Sequence, residues 1–300
     1  MTEAIEIQAR VVQGAAAGPH LLITGGVHGD EFESMAAIRR LMTAIEPTQL
    51  RGRVTLAPVV NEPAFIRGHR MAEDSLDLAR TCPGKPDGSI TERVAYAVAA
   101  LIRSADYYID LHSGGTTLCV LPLVGYALHA DVRVLDAQRR MARAFNLPIV
   151  WGTTPHKGRT LSVARDANVP AIYTEYLGRG LCSQQGINDY FEGCLNVMGE
   201  LGMIDRTPPV SRVERVIEDP RPDSGHLQIC NPAPVTGFWE PAVELGQRVK
   251  VGDLLGRITD VLGDKIHEIK SQQAGIILCL TTFSRVLEGY SVAVVLEINE

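Results

Sequence analysis

His28 and Glu31 stand three positions apart in the stretch GGVHGDE, and a second histidine, His112, follows the run DYYIDL. Two imidazoles and a carboxylate form a zinc-type donor set that leaves a fourth position for water. Such an ion, one per chain, would lower the pKa of a bound water to about 7 and polarise a carbonyl. A separate carboxylate must then take the proton from the water and deliver it to a leaving amine. Glu175, in the run PAIYTEYL, is the strand-end carboxylate that remains for this work. Asp110 precedes His112 by two residues on the same strand, so it shares its facing and can orient a ligand histidine.

These residues lie far apart in the chain, so the fold must gather them. From residue 20 to about 205, short apolar runs (HLLITGG, RVTLAPVV, DYYIDL, LPIVWG, PAIYTEYL) are separated by segments of helical period. Two helices are clear, EFESMAAIRRLMTAI and SITERVAYAVAALIRSA, the second with Ser89 three residues before Glu92 as in a capping box. Ser183 precedes a closing helix, SQQGINDYFEGCLNVMGELGM. Runs apolar on both faces and alternating with helices predict an α/β domain with a mixed, largely parallel sheet. Ligands bind beyond the carboxyl ends of such strands. His28, Asn61, His112 and Glu175 all sit at predicted strand exits, so they should converge on one crevice.

Each residue taken singly has a plainer reading. A lone HxxE is mostly chance, His112 alone reads as a hydrogen-bonded structural histidine, and Glu175 alone could pair with an arginine. Their joint placement, with Gly25, Gly26, Gly29, Gly114 and Gly115 beside them, favours the metal. Asp30 and Glu33 are expected to favour a helix N-terminus rather than bind the ion.

Composition narrows the class. A formal charge of -6 from interspersed acids and bases argues against nucleic acid as a partner. No apolar stretch reaches membrane-spanning length, and the N-terminus carries no basic region followed by an apolar segment. The six scattered cysteines form no CxxC pair and read as reduced thiols of a cytoplasmic protein. The proline- and charge-rich stretch DRTPPVSRVERVIEDPRPDSG marks a junction. Two domains are therefore expected, a catalytic one over 1–207 and a small all-β one over 208–300, with a homo-oligomer open to the latter.

Beyond these readings, GGVHGDE, NEPAFIRGHR, DLARTCPG, DLHSGG and YTEYLG occur in the order and approximate spacing of the succinylglutamate desuccinylase/aspartoacylase family, related to zinc carboxypeptidases. The resemblance covers roughly residues 18–200. It implies a three-layer carboxypeptidase-like domain, zinc on His28, Glu31 and His112, and Glu175 as general base and acid. The family's carbonyl-polarising arginine corresponds by spacing to Arg70, with Arg67 the second candidate. Its DLNR motif uses Asn and Arg to hold a substrate carboxylate. Here the motif is Asp77-Leu78-Ala79-Arg80, so Arg80 matches and the asparagine is replaced by Ala79. Arg80 and Asn61 are the expected substrate contacts. Cys82, which stands where the family has an aromatic, has no base beside it and is not expected to be a nucleophile.

Three other residues, His156, Lys157 and Arg159, lie in a turn-rich loop that could line the mouth, with a solvated loop the competing reading. His69, beside Arg70, could also face the crevice, with a surface histidine the competing reading. The C-terminal segment resembles lipoyl/biotinyl carriers but has no Met-Lys-Met, and Lys270 adjoins a strand, so shaping the cleft entrance is its expected role. The expected activity is hydrolysis of the amide of a small N-acyl amino acid or N-acyl diamine. A carboxypeptidase acting on short peptides is the near alternative. A non-catalytic ligand-binding scaffold with a carrier-like tail is the alternative of another class.

Overall fold

The computed structural model describes residues 5–227 and 230–298. The first eight strands are β1 (Arg10–Gln13), β2 (Ala16–Thr24), β3 (Arg51–Ala57), β4 (Tyr107–Leu111), β5 (Leu118–Ala127), β6 (Ile149–Thr153), β7 (Ala171–Gly178) and β8 (Arg215–Asp219). Among them lie α1 (Phe32–Ala44), α2 (Glu62–Arg67), α3 (Leu78–Thr81), α4 (Ile90–Arg103), α5 (Val132–Phe145), α6 (Thr160–Asp166) and α7 (Gln184–Glu200). Seven strands follow: β9 (Gly237–Pro241), β10 (Arg248–Val249), β11 (Leu254–Thr259), β12 (Ile266–Lys270), β13 (Gly275–Thr281), β14 (Arg285–Val286) and β15 (Ala293–Glu297).

The α/β expectation holds, and the alternation of side chains explains the layers. Leu21 and Ile23 of β2 face the layer of α1, α5 and α7, packing with Ile38, Leu41, Phe145 and Met198. Leu22 faces the other way, toward Val94 and Val98 of α4 and Ala164 of α6. Strands buried on both faces need apolar residues at every position, which is why these runs read as continuous. Strand order begins β1-β3-β2-β4-β7-β5, with β3, β2, β4 and β7 parallel and β5 antiparallel to β7. Glu92 accepts from the Ser89 N–H at 2.9 Å, and the Ser183 hydroxyl accepts from the Gly186 N–H at 3.1 Å, so both predicted helix starts are present.

One edge of β5 divides between two partners. Leu118 to Val120 pair with β13, whereas Leu123 to Ala127 pair with β6. Between them stands Pro122, which has no N–H to give a ladder and so is suited to the break. Hydrogen-bonded pairing thus crosses residue 207: β8 extends the main sheet alongside β6, and β10, β13 and β15 join it through β5. A smaller antiparallel sheet, β12-β11-β9-β14, packs Trp239, Leu255 and Ile258 against Ile277, Val292 and Val295. Lys270 ends β12 and pairs with Glu268 at 3.4 Å, away from any hairpin tip.

Candidate metal centre and catalytic cavity

The loop that carries His28 is fixed by short-range chemistry. After β2, Gly26 takes a positive φ of 63°, a conformation that favours glycine. Gly29 lies so close to α2 that a Cβ there would meet the Ala64 carbonyl carbon at 2.1 Å. Glu31 is the residue immediately before α1, and its carbonyl accepts from the Ser34 hydroxyl at 2.8 Å. His28 and Glu31 therefore meet across a turn ahead of the helix rather than within its first turn. His112 follows β4 directly, and its carbonyl accepts from the buried Tyr190 hydroxyl.

Glu31 lies between the two histidines. One carboxylate oxygen is 2.6 Å from His28 Nδ1 and the other is 2.9 Å from His112 Nδ1. All three residues are buried, and their donor atoms lie within 4.8 Å of one another, close enough to share an ion. Each outer ring nitrogen has its own carboxylate. His28 Nε2 is 3.1 Å from Asp77, and His112 Nε2 is 3.1 Å from Asp110. Asp110 is in turn held by hydroxyls of Thr24, at 2.8 Å, and Thr160. Carboxylates behind ligating imidazoles fix the ring orientation and raise the basicity of the metal-facing nitrogen. Asp110 was expected to act so; Asp77 was not foreseen.

Charge in this cluster favours a cation. Burial pushes the Glu31 carboxyl upward, but the flanking imidazoles more than offset this and hold it well below the usual range. Burial opposes protonation of His112, yet Asp110 and Glu31 together raise it well above the ordinary histidine value. Asp77 is likewise lowered despite burial, by His28 and Arg70. Three carboxylates around two imidazoles and the Arg70 guanidinium still leave negative charge in excess, which protons or a divalent ion can offset. Together with the Nδ1, carboxylate, Nδ1 donor set, this fits zinc.

Glu175 borders the same cavity. It lies within β7, one residue past Thr174, which pairs with the last residue of β4, and the strand continues to Gly178. It therefore sits in the stretch of β7 that outruns its neighbour, not at a strand end. Burial first, and then the Glu31 carboxylate, push its carboxyl up to about 8, against the pull of His112, Arg70 and Arg159. Arg70 reaches 3.3 Å from His28 Nδ1 and 3.8 Å from Glu31, and donates to Asp77 at 3.0 and 3.2 Å. Arg67 is exposed on α2, so Arg70 is the arginine that the fold brings to the cavity.

Arg80 and Ala79 line the cavity together with Arg159, Tyr173, Gly225 and Leu227. Arg159 belonged to the loop for which a solvated reading competed; its guanidinium forms part of the wall and donates to Gly225 at 3.4 Å. Lys157 in that loop is exposed. Asn61 is buried and is not among the residues that line the cavity. Its side chain caps α2 by accepting from Ala64 at 3.4 Å and donates to the Val27 carbonyl at 3.3 Å, so it braces the His28 loop. Neither Asp30 nor Glu33 belongs to the donor set, and Glu33 lies in the first turn of α1 as expected. Asp30 accepts from Thr116 at 2.9 and 2.8 Å, and Glu33 accepts from the Ser183 N–H at 3.2 Å. His69 is exposed, which favours the surface reading, and burial pushes the Cys82 thiol up to about 12, which disfavours a thiolate.

A buried His-Glu-His donor set, with a carboxylate and an arginine in the same cavity, fits a metal-dependent hydrolase, and the family match below makes the bond an amide. Residues 17–201 match the succinylglutamate desuccinylase/aspartoacylase catalytic domain, and the chain belongs to that family. Among curated proteins it is similar to an N-alpha-acetyl-L-2,4-diaminobutyric acid deacetylase of Halomonas elongata, with 29% identity over 94% of this chain and 83% of the relative. Among solved structures it is similar to a succinylglutamate desuccinylase/aspartoacylase from Rhodobacter sphaeroides, with 29% identity, a TM-score of 0.89, and coverage of 99% of this chain and 90% of that one. A product-bound ectoine utilization protein from Ruegeria pomeroyi aligns with a TM-score of 0.86 and 28% identity, over 97% of this chain and 89% of that one. Among the described residues no helix is long and apolar enough to cross a membrane.

Proposed function

We propose that the protein is a zinc-dependent deacylase that hydrolyses the amide of a small N-acyl amino acid or N-acyl diamine, with N-acetyl-2,4-diaminobutyrate as the first compound to test. The observation that carries this reading is one cavity bordered by the His28, Glu31 and His112 donors together with Glu175 and Arg70. Two relatives at 28–29% identity, a diaminobutyrate deacetylase and an ectoine utilization protein, support the choice of substrate.

His28, Glu31 and His112 would hold the zinc, which when bound supplies a water of lowered pKa and a Lewis acid for the carbonyl. Glu175 takes the proton of the attacking water and returns it to the nitrogen as the carbon–nitrogen bond breaks. Arg70, fixed by Asp77, donates to the carbonyl oxygen as negative charge builds on it. Arg80 and Arg159 offer guanidinium donors for a substrate carboxylate. Ala79 leaves room beside Arg80 where the family pattern has an amide. Gly225 and Leu227 close the cavity from the segment beyond residue 207, which supports a part for residues 208–300 in limiting access to small molecules. We place the activity in the cytoplasm, a reading supported by six cysteines without a disulfide.

Steady-state assays on N-acetyl diamino acids, N-acetyl and N-succinyl amino acids and dipeptides test the proposal. Turnover of an N-acetylated diamino acid is expected. Preference for dipeptides would favour a carboxypeptidase, and failure on every class would overturn the deacylase reading.

A further inference from the structure

A second group of nitrogen and oxygen donors lies outside the centre described above. The loop before α6 and the strap over residues 220–227 meet at the cavity mouth. Thr154 donates its backbone N–H to the Ser224 hydroxyl at 2.9 Å, and Arg159 donates to the Gly225 carbonyl at 3.4 Å. At this junction the rings of His156 and His226 lie with centroids 3.9 Å apart, tilted by 56°. Asp223 stands 3.9 Å from His226 Nε2.

We propose that His156, Asp223 and His226 form a second divalent-cation site, of the borderline-soft class that includes Zn2+, Ni2+ and Cu2+, which staples the strap to the loop. The three donor atoms lie within 4.8 Å of one another. His156 Nε2 donates to the Ser224 carbonyl at 2.6 Å, which leaves the lone pair on Nδ1, the arrangement seen behind metal-bound imidazoles. Among the described residues no hydrogen bond engages that Nδ1. Imidazole with one carboxylate suits these ions better than Mg2+ or Ca2+, which prefer oxygen donors.

The charge around the pair supports the same assignment. Burial and Arg159 lower the basicity of His156. Burial, His156 and the guanidiniums of Arg159 and Arg80 bring His226 to about 4. The guanidiniums that repel a proton also repel an ion, so the Asp223 carboxylate has to supply the compensating charge. Asp223 is mostly exposed, which gives an ion a route in.

Equilibrium dialysis of the full-length, chelator-stripped chain against micromolar zinc, followed by metal analysis, tests this. Two equivalents per chain are expected for the native sequence. His226→Ala and Asp223→Asn should each hold one, and the exposed position of Asp223 makes the latter variant safe for folding. His112→Ala should also hold one, because it keeps the mouth site and loses the other. A single equivalent in the native protein would overturn the proposal, as would two equivalents in both mouth variants. Failure of the deacylase reading would instead appear as loss of activity on every substrate with the zinc count unchanged.

Discussion

Asp77 accepts from His28 Nε2 at 3.1 Å while it also accepts from Arg70 at 3.0 Å, so one carboxylate orients a metal ligand and the arginine beside it. The same side chain starts α3 by accepting from the Ala79 N–H at 2.9 Å. Asp77→Asn keeps the shape and the helix cap but removes the charge. Outer carboxylates of this kind are worth about 10–100-fold in metal affinity or activity. Zinc competition against a chelator should show a loss in that range, with kcat falling as Arg70 loosens. Unchanged zinc affinity and unchanged kcat would remove Asp77 from this role.

Glu175 does not touch the donor set through any hydrogen bond seen among the described residues, so its substitution separates chemistry from metal binding. Glu175→Gln is expected to retain a full zinc equivalent at the centre. Its kcat should fall by about 10²–10⁴, the usual contribution of a positioned proton-transfer group. A variant that keeps its metal and its turnover would exclude Glu175 as the acid and base.

The metal-free protein should depend on pH in a defined direction. Glu175 is raised from 4.5 to about 8, and His112 is raised well above 6.5. Both groups bind protons more strongly in the folded than in the unfolded state, so stability falls as pH rises. For Glu175 the loss runs from the unfolded value up to about 8, and for His112 it begins above 6.5. A bound dication replaces those protons. The gap in Tm between loaded and stripped protein should therefore widen from pH 5 to pH 8; a constant gap would contradict the charge argument.

Ala79 borders the cavity next to Arg80, where the family pattern has asparagine. Ala79→Asn would return an amide to the carboxylate-binding end and narrow the space there. A new hydrogen bond to a charged group is worth about 1.5–3 kcal/mol, or roughly 10–100-fold. The ratio of kcat/KM for N-acetyl-2,4-diaminobutyrate, which carries that carboxylate, over an N-acetyl diamine that lacks it should rise by that order. An unchanged ratio would mean that this position does not select the substrate.

Much of the site was legible because strand exits in a parallel sheet have a common destination. His28, His112 and Glu175 could be grouped once the apolar runs were read as strands. Asp77 was not legible, because an aspartate before a short helix looks local, and its reach to His28 depends on how the 68–77 loop folds back. Asn61 shows another limit: a polar residue at a strand exit whose side chain caps α2 and braces the His28 loop. The helix α5 buries Val134, Ala137, Gln138, Met141, Ala142 and Phe145, a regular inward face, apolar but for Gln138, masked in the sequence by the helix's arginines. In β5, Pro122 interrupts the strand pattern, since the run serves two partners on one edge. The β8 strand hides in a proline- and charge-rich stretch, because it is an edge strand with alternate residues exposed.

A zinc-edge anomalous difference map from crystals of the zinc-loaded protein tests the central assignment most directly. The expected result is a peak bounded by Nδ1 of His28, the Glu31 carboxylate and Nδ1 of His112, within the cavity that Glu175 and Arg70 border. A fully loaded crystal with no density among those three side chains would contradict it.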